Sequence, residues 1–127
     1  MPNSRQKGKR GEREARDMVR RYWHAINCIR SAQSHGKHAA DLLDAGDTLH
    51  VEVKRVARIG AMMFMAQAER DRKKDEIPVV VMRQNGAVRG QDRDMTGWVV
   101  MFPIEDTETF VKNYLKNKER SSEEDFV

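Results

Sequence analysis

Apolar and polar residues alternate with period two through Leu49-His50-Val51-Glu52-Val53-Lys54. That period marks a strand sending Leu49, Val51 and Val53 to one side and His50, Glu52 and Lys54 to the other. Upstream the period changes. Ala15, Met18, Val19, Tyr22, Trp23 and Ile26 recur at three- and four-residue intervals, and predict a helix from Gly11 with one buried stripe. Glu12, Glu14 and Asp17 would then stand in its first turns, where the helix dipole favours anions. Residues 26–31 read as a short strand and 33–37 as a polar, glycine-containing loop. Residues 39–43 read as a second strand with Asp41 inside it, followed by a turn at Asp44, Gly46 and Asp47 and then the central strand over 48–56. Two strands joined by so tight a turn predict an antiparallel hairpin, which brings Asp41 within reach of Glu52 and Lys54.

Downstream, residues 58–75 predict a second helix. Its first half is apolar all round, because Met62, Met63, Phe64 and Met65 are consecutive. One helix face can enter a core; the rest must meet something else, such as a second subunit. Pro78 opens the apolar run Val79-Val80-Val81-Met82, residues 84–96 are polar and glycine-rich, and Trp98-Val99-Val100-Met101-Phe102 reads as a last strand closed by Pro103. Residues 105–116 form an amphipathic helix with Phe110, Val111, Tyr114 and Leu115 as its stripe. Pro2, Asn3, Ser4 and Gly8 disfavour helix over 1–10, which reads as a flexible basic arm, and residues 117–127 read as a charged, disordered tail. The folded domain, 11–116, is expected to be α/β, with helices flanking one sheet.

A length of 127 residues suits one domain with one core. Charge then adds a direction. The net balance is +4, and the excess sits at the front. Arg5, Lys7, Lys9, Arg10, Arg13, Arg16, Arg20, Arg21 and Arg30 face only Glu12, Glu14 and Asp17 over residues 1–30. A basic front end on a small domain is the electrostatic footprint of phosphate-backbone binding. Cys28 is the single cysteine, so no intrachain disulfide forms and a reducing, cytoplasmic setting is expected. No signal peptide or membrane span is apparent, the longest apolar run being residues 61–66. The sequence has no clustered aromatics of the kind that stack RNA bases. His35 and His38 have H-x-x-H spacing, but with Cys28 they supply too few ligands for zinc.

The chemistry-bearing residues near the hairpin are hard oxygen donors, which suit Mg²⁺ or Mn²⁺. A magnesium site takes one or two protein carboxylates, which Asp41 and Glu52 can supply, and the backbone carbonyl of Val53 can add a ligand. Lys54, on the Glu52 face, can orient an attacking water or offset charge on a phosphate in transition. Cation, lysine and basic surface together point to phosphodiester hydrolysis. Either Glu12 or Glu14 can point inward from the first helix, and Glu12, three residues before Ala15 and seven before Val19, is favoured.

Asp41 followed by Glu52-x-Lys54 resembles the PD-(D/E)xK nuclease motif, with Ala40 where the pattern has proline. The element order is similar to that superfamily's α-β-β-β-α-β restriction-endonuclease-like core with its central mixed sheet. Within the superfamily the chain resembles archaeal and phage Holliday junction resolvases. The likeness runs through Lys7-Gly8, Glu12-Arg13, Arg30-Ser31-Ala32-Gln33-Ser34, Asp41, Val51-Glu52-Val53-Lys54 and Gln67-Ala68. It implies a catalytic set of Glu12, Asp41, Glu52 and Lys54, with Glu12 completing the metal site and Ser34 and Gln67 supporting. It also implies a two-fold homodimer acting on four-way DNA junctions in a phage, archaeal or bacterial setting. The DNA contacts expected are Arg5, Lys7, Lys9, Arg10, Arg13, Arg30, Lys37 and Arg55. The function expected is therefore a Mg²⁺-dependent, structure-selective endonuclease. The alternatives are a restriction- or repair-type nuclease of the same superfamily, or a non-catalytic DNA-binding module with a nuclease-like fold.

Overall fold

A computed structural model describes residues 4–32, 38–58, 60–85 and 96–124. The elements run α1 (Ser4–Tyr22), β1 (Ile29–Arg30), β2 (Leu42–Leu43), β3 (Leu49–Val56), α2 (Ala61–Asp71), β4 (Ile77–Gln84), β5 (Val99–Met101), a 3₁₀ turn (Ile104–Asp106) and α3 (Thr107–Glu124). The five strands lie in their chain order in one open sheet. β1–β2, β2–β3 and β4–β5 are antiparallel. β3 and β4 run parallel, with Glu52 opposite Val80 and Lys54 opposite Met82. A parallel pair needs a crossover, and α2 supplies it. The result is the expected α/β architecture: a mixed sheet with helices.

Both faces of the β3–β4 pair are covered, as a parallel pair requires. On one face Leu49, Val51, Val53, Ile77, Val79 and Val81 join Ala15, Val19 and Trp23 of α1, with Phe110 and Tyr114 of α3 packed against them. Trp23 meets Phe110 edge-on at 5.1 Å, and Phe110 stacks on Phe102 at 4.5 Å. On the other face Val80 and Met82 pack on Ala68 of α2, with Phe64, Met65, Val99 and Met101 around them. The alternation in β3 therefore does not separate core from solvent: His50 and Glu52 are as buried as Val51.

Several boundaries differ from expectation, each for a local reason. α1 is already helical at Ser4, not from Gly11, so the expected flexible arm over 1–10 is largely helix. Glu12, Glu14 and Asp17 consequently lie mid-helix, away from the dipole's positive end. Gly11 is buried because a Cβ there would stand 3.0 Å from the Arg55 Cβ, and its absence lets α1 lie close on β3. α1 stops at Tyr22, and His24 takes a left-handed φ of 59°. Tyr22 and Ile26, assigned to the stripe, are exposed. Asp41 lies just before β2, not inside it, because β2 is only Leu42–Leu43.

α3 departs most. It presents Asn113 and Asn117 inward, both buried, while Val111 and Leu115 are exposed. Asn113 accepts from Thr48 N–H at 3.1 Å and donates to Thr48 Oγ1 at 2.8 Å; Asn117 donates to the Ala45 carbonyl at 2.7 Å. The turn between β2 and β3 leaves those backbone groups without ladder partners, and satisfying them outweighs burying two more aliphatic side chains. Gly46 keeps this turn closed, since a Cβ would fall 2.7 Å from Leu49 and 2.9 Å from Asn113. Beyond the asparagines, Lys116 and Arg120 reach Asp47 at 3.4 and 2.9 Å. These contacts carry the helix to Glu124, where a disordered tail from 117 was expected.

Candidate functional site

The site begins where β2 parts from β3. Asp41 N–H still donates to the Val51 carbonyl at 2.9 Å, but the Asp41 carbonyl turns away and accepts from Ser31 N–H at 2.9 Å. The next rung of the ladder would otherwise be open. The Asp41 carboxylate fills it, accepting from Val53 N–H at 2.8 Å. In an extended strand a residue's N–H and C=O leave on the same edge, so the Val53 carbonyl is directed to the Asp41 side as well. Asp41 is thus fixed by the backbone of the strand that carries Glu52.

Glu52 closes the other half. Its carboxylate is buried, accepts from His50 Nε2 at 2.7 Å, and stands close enough to Asp41 for its charge to act on that carboxyl. Burial, and then the Glu52 charge, push the Asp41 carboxyl well above the usual carboxylate range; the Val53 N–H pulls the other way, and Glu12 adds a smaller push upward. Glu12, on α1, is also raised. Burial is the main cause, Arg30 opposes it, Glu52 reinforces it and Lys9 opposes it. Its nearest charge partner is Arg30, at 4.0 Å. Glu14 belongs elsewhere: Arg55 at 2.9 Å, Arg83 at 3.5 Å and Arg10 at 3.7 Å surround it. Of the two glutamates that the spacing left in competition, Glu12 is the one electrostatically joined to Asp41 and Glu52.

Lys54 follows Glu52 on the same strand face and is half-buried. Its ammonium sits 5.5 Å from the centre of the Phe64 ring, a cation–π contact that holds the lysine without neutralising it. Phe64 was read only as part of an apolar helix; the contact arises because α2 crosses over β3, which periodicity alone does not show. Gln67 is half-buried on α2 beside Ala68, and its side-chain amide hydrogen-bonds none of the described residues.

The basic residues divide into two groups. Lys9, Arg10 and Arg13 are exposed on α1, and Arg5 and Lys7 precede them on the same helix. Arg30 lies beside Glu12, with a buried Nη1 that lacks a partner among the described residues. Arg55, expected as a DNA contact, is half-buried and paired with Glu14. Ser34 and Lys37 lie outside the described residues. Of the zinc candidates, His38 pairs with Asp71 at 2.8 Å. Burial pushes the Cys28 thiol up to about 11, although Arg20 pulls it down, so no thiolate is on offer.

Among the described residues no three His, Cys, Asp or Glu side chains form a metal cage by themselves. The donor set that does exist is two carboxylates, a backbone carbonyl on the same edge and a third carboxylate nearby. It suits a hard divalent cation that fills its remaining positions with water and phosphate oxygens. Burial first, and then the Glu52 charge, raise the Asp41 carboxyl, and a cation held here would offset that charge. A scan against protein-family models and a search of curated proteins returned no match. Among the described residues no helix is long and apolar enough to cross a membrane.

Proposed function

We propose that this chain is a divalent-cation-dependent, structure-selective DNA endonuclease of the PD-(D/E)xK type, acting as a Holliday junction resolvase. The observation that carries the reading is the Asp41–Glu52 pair, locked across the Val53 backbone with Lys54 two residues on. Asp41 and Glu52, with the Val53 carbonyl, would hold Mg²⁺ or Mn²⁺, and Glu12 would complete the site. When bound, the cation supplies Lewis-acid polarisation of the phosphate and a more acidic water. Lys54, held over Phe64, would donate to a non-bridging oxygen as charge builds in the transition state. Arg30, with its unpartnered Nη1, offers a further donor to a phosphate beside Glu12. Lys9, Arg10 and Arg13 give the backbone-binding surface. Met62 and Met63 are 76% and 71% exposed on α2, which supports a homodimer able to treat two equivalent strands.

The test is cleavage of labelled synthetic four-way junctions beside matched linear duplex and single strands, with Mg²⁺ or with EDTA. Paired, symmetric nicks appearing only with the cation are expected. Equal cleavage of linear duplex would remove the junction selectivity, and tight binding without any cleavage would leave a DNA-binding module.

A further inference from the structure

The face of β3 that carries Glu52 also carries His50, which is 2% exposed. His50 lies opposite Pro78 in the β3–β4 register, on the sheet face where Val80, Met82 and Ala68 form an apolar cluster. Burying an imidazole and the Glu52 carboxylate there requires desolvating both, and an apolar side chain in place of His50 would fill the space at lower cost. The ring instead stands between two acids. Nε2 lies 2.7 Å from Glu52 Oε1, and Nδ1 lies 3.7 Å from Glu76 Oε1. Glu76 is fixed in its turn, since Lys73 N–H donates to the same Oε1 at 2.8 Å in the bend that joins α2 to β4. A line of contacts therefore runs from the crossover bend, through Glu76 and His50, to the Glu52 carboxylate.

We infer that His50, backed by Glu76, is a positioning residue that fixes Glu52 for cation binding. The inference rests on the nuclease reading above. His50 donates Nε2–H to Glu52 Oε1, which stops the carboxylate rotating and leaves its second oxygen for the ion. Partners of this kind beyond the ligands set both ligand orientation and affinity. His50 touches neither the ion nor the substrate.

The test uses the full chain in four forms: wild type, His50→Leu, His50→Gln and Glu76→Gln. Calorimetric Mn²⁺ binding without DNA is measured beside the Mg²⁺ dependence of junction cleavage. His50→Leu keeps bulk but no donor, and is expected to weaken Mn²⁺ binding ~10–100-fold and to raise the Mg²⁺ needed for half-maximal cleavage. Near-wild-type cleavage should return at saturating Mg²⁺. His50→Gln, whose amide nitrogen can reach the Nε2 position, should recover most of the affinity, and Glu76→Gln should lose less than His50→Leu. Unchanged Mn²⁺ affinity in His50→Leu, or equal losses in the leucine and glutamine variants, would overturn the inference.

If His50→Leu does not fold, ¹⁵N–¹H spectra of the metal-free wild type decide. A slowly exchanging, downfield His50 Nε2–H that moves in Glu52→Gln supports the relay, and an unprotonated Nε2 refutes it. A wild type that neither binds Mn²⁺ nor cleaves would fail the nuclease reading itself, and the relay's role with it. Wild-type binding and cleavage with an indifferent His50→Leu would fail the relay alone.

Discussion

The two faces of β3 are equally buried and do opposite things. Toward α1 and α3 it presents Leu49, Val51 and Val53, and every contact there removes hydrocarbon from water. Toward α2 it presents His50, Glu52 and Lys54, where burial works against stability and is offset only in part by hydrogen bonds. The first face holds the strand rigid; the second uses that rigidity to keep charged groups where water would otherwise disperse them. A single strand thus separates the source of stability from the proposed source of activity, and mutations on the two faces should separate them as well.

The largest contrast is expected at Asp41. Asp41→Asn should abolish junction cleavage while leaving junction binding intact or stronger, because a carboxylate facing phosphate is removed. Its metal-free thermal stability should be unchanged or higher, since repulsion from Glu52 is relieved. Retained cleavage, measured on labelled junctions, would break both the comparison and the site. Next comes Trp23→Ala on the opposite face, where loss of the packing on Phe110 should lower stability by about 3–5 kcal/mol in urea unfolding. Its cleavage rate, measured well below the transition, should stay near wild type. A folded Trp23→Ala protein with lost cleavage would mean that the two faces are not separable.

A smaller effect is expected at the α3 clamp. Asn113→Ala strands the Thr48 N–H and should lower stability by about 1–3 kcal/mol, with the Mg²⁺ dependence of cleavage unmoved. Smallest is the surface end of that clamp. The hydrogen bond from Arg120, chiefly, holds the Asp47 carboxyl below its ordinary value, with burial opposing and Lys116 assisting. A carboxyl lowered in the folded state adds stability that is present above its unfolded value and is lost as pH falls through the folded one. Comparing wild type with Arg120→Gln should therefore show a difference at neutral pH that closes below about pH 4. It should be the smallest of these effects, because both partners of the pair are half exposed and screened by solvent. A difference that widens in acid would reverse the assignment.

Much of this was legible from residue order. Period two located β3, the Gly/Asp turn located the β2–β3 hairpin, and the Asp41, Glu52, Lys54 spacing picked out residues that the fold brings to one candidate site. Less legible were the facings. Asn113 lay outside the apolar stripe expected for its helix and Asn117 in the expected disordered tail, because nothing in the local sequence reveals the unpaired backbone of a turn more than 60 residues away. Arg55 read only as a DNA contact, and its ion pair with Glu14 arises where α1 packs on β3. Phe64 read as bulk apolar surface until the crossover laid it against Lys54.

Sequence alone determined which elements form, their order, and which residue types travel on the central strand, since these depend on local periodicity and turn chemistry. Tertiary structure alone decided that both faces of that strand are covered, that Glu12 rather than Glu14 joins Asp41 and Glu52, and that His50 lies between two carboxylates. Those are contacts between segments distant in the chain. Local period records only that a side chain leaves its element on a given side, while the charge, solvent and partner it meets there are set by whatever other element packs on that side.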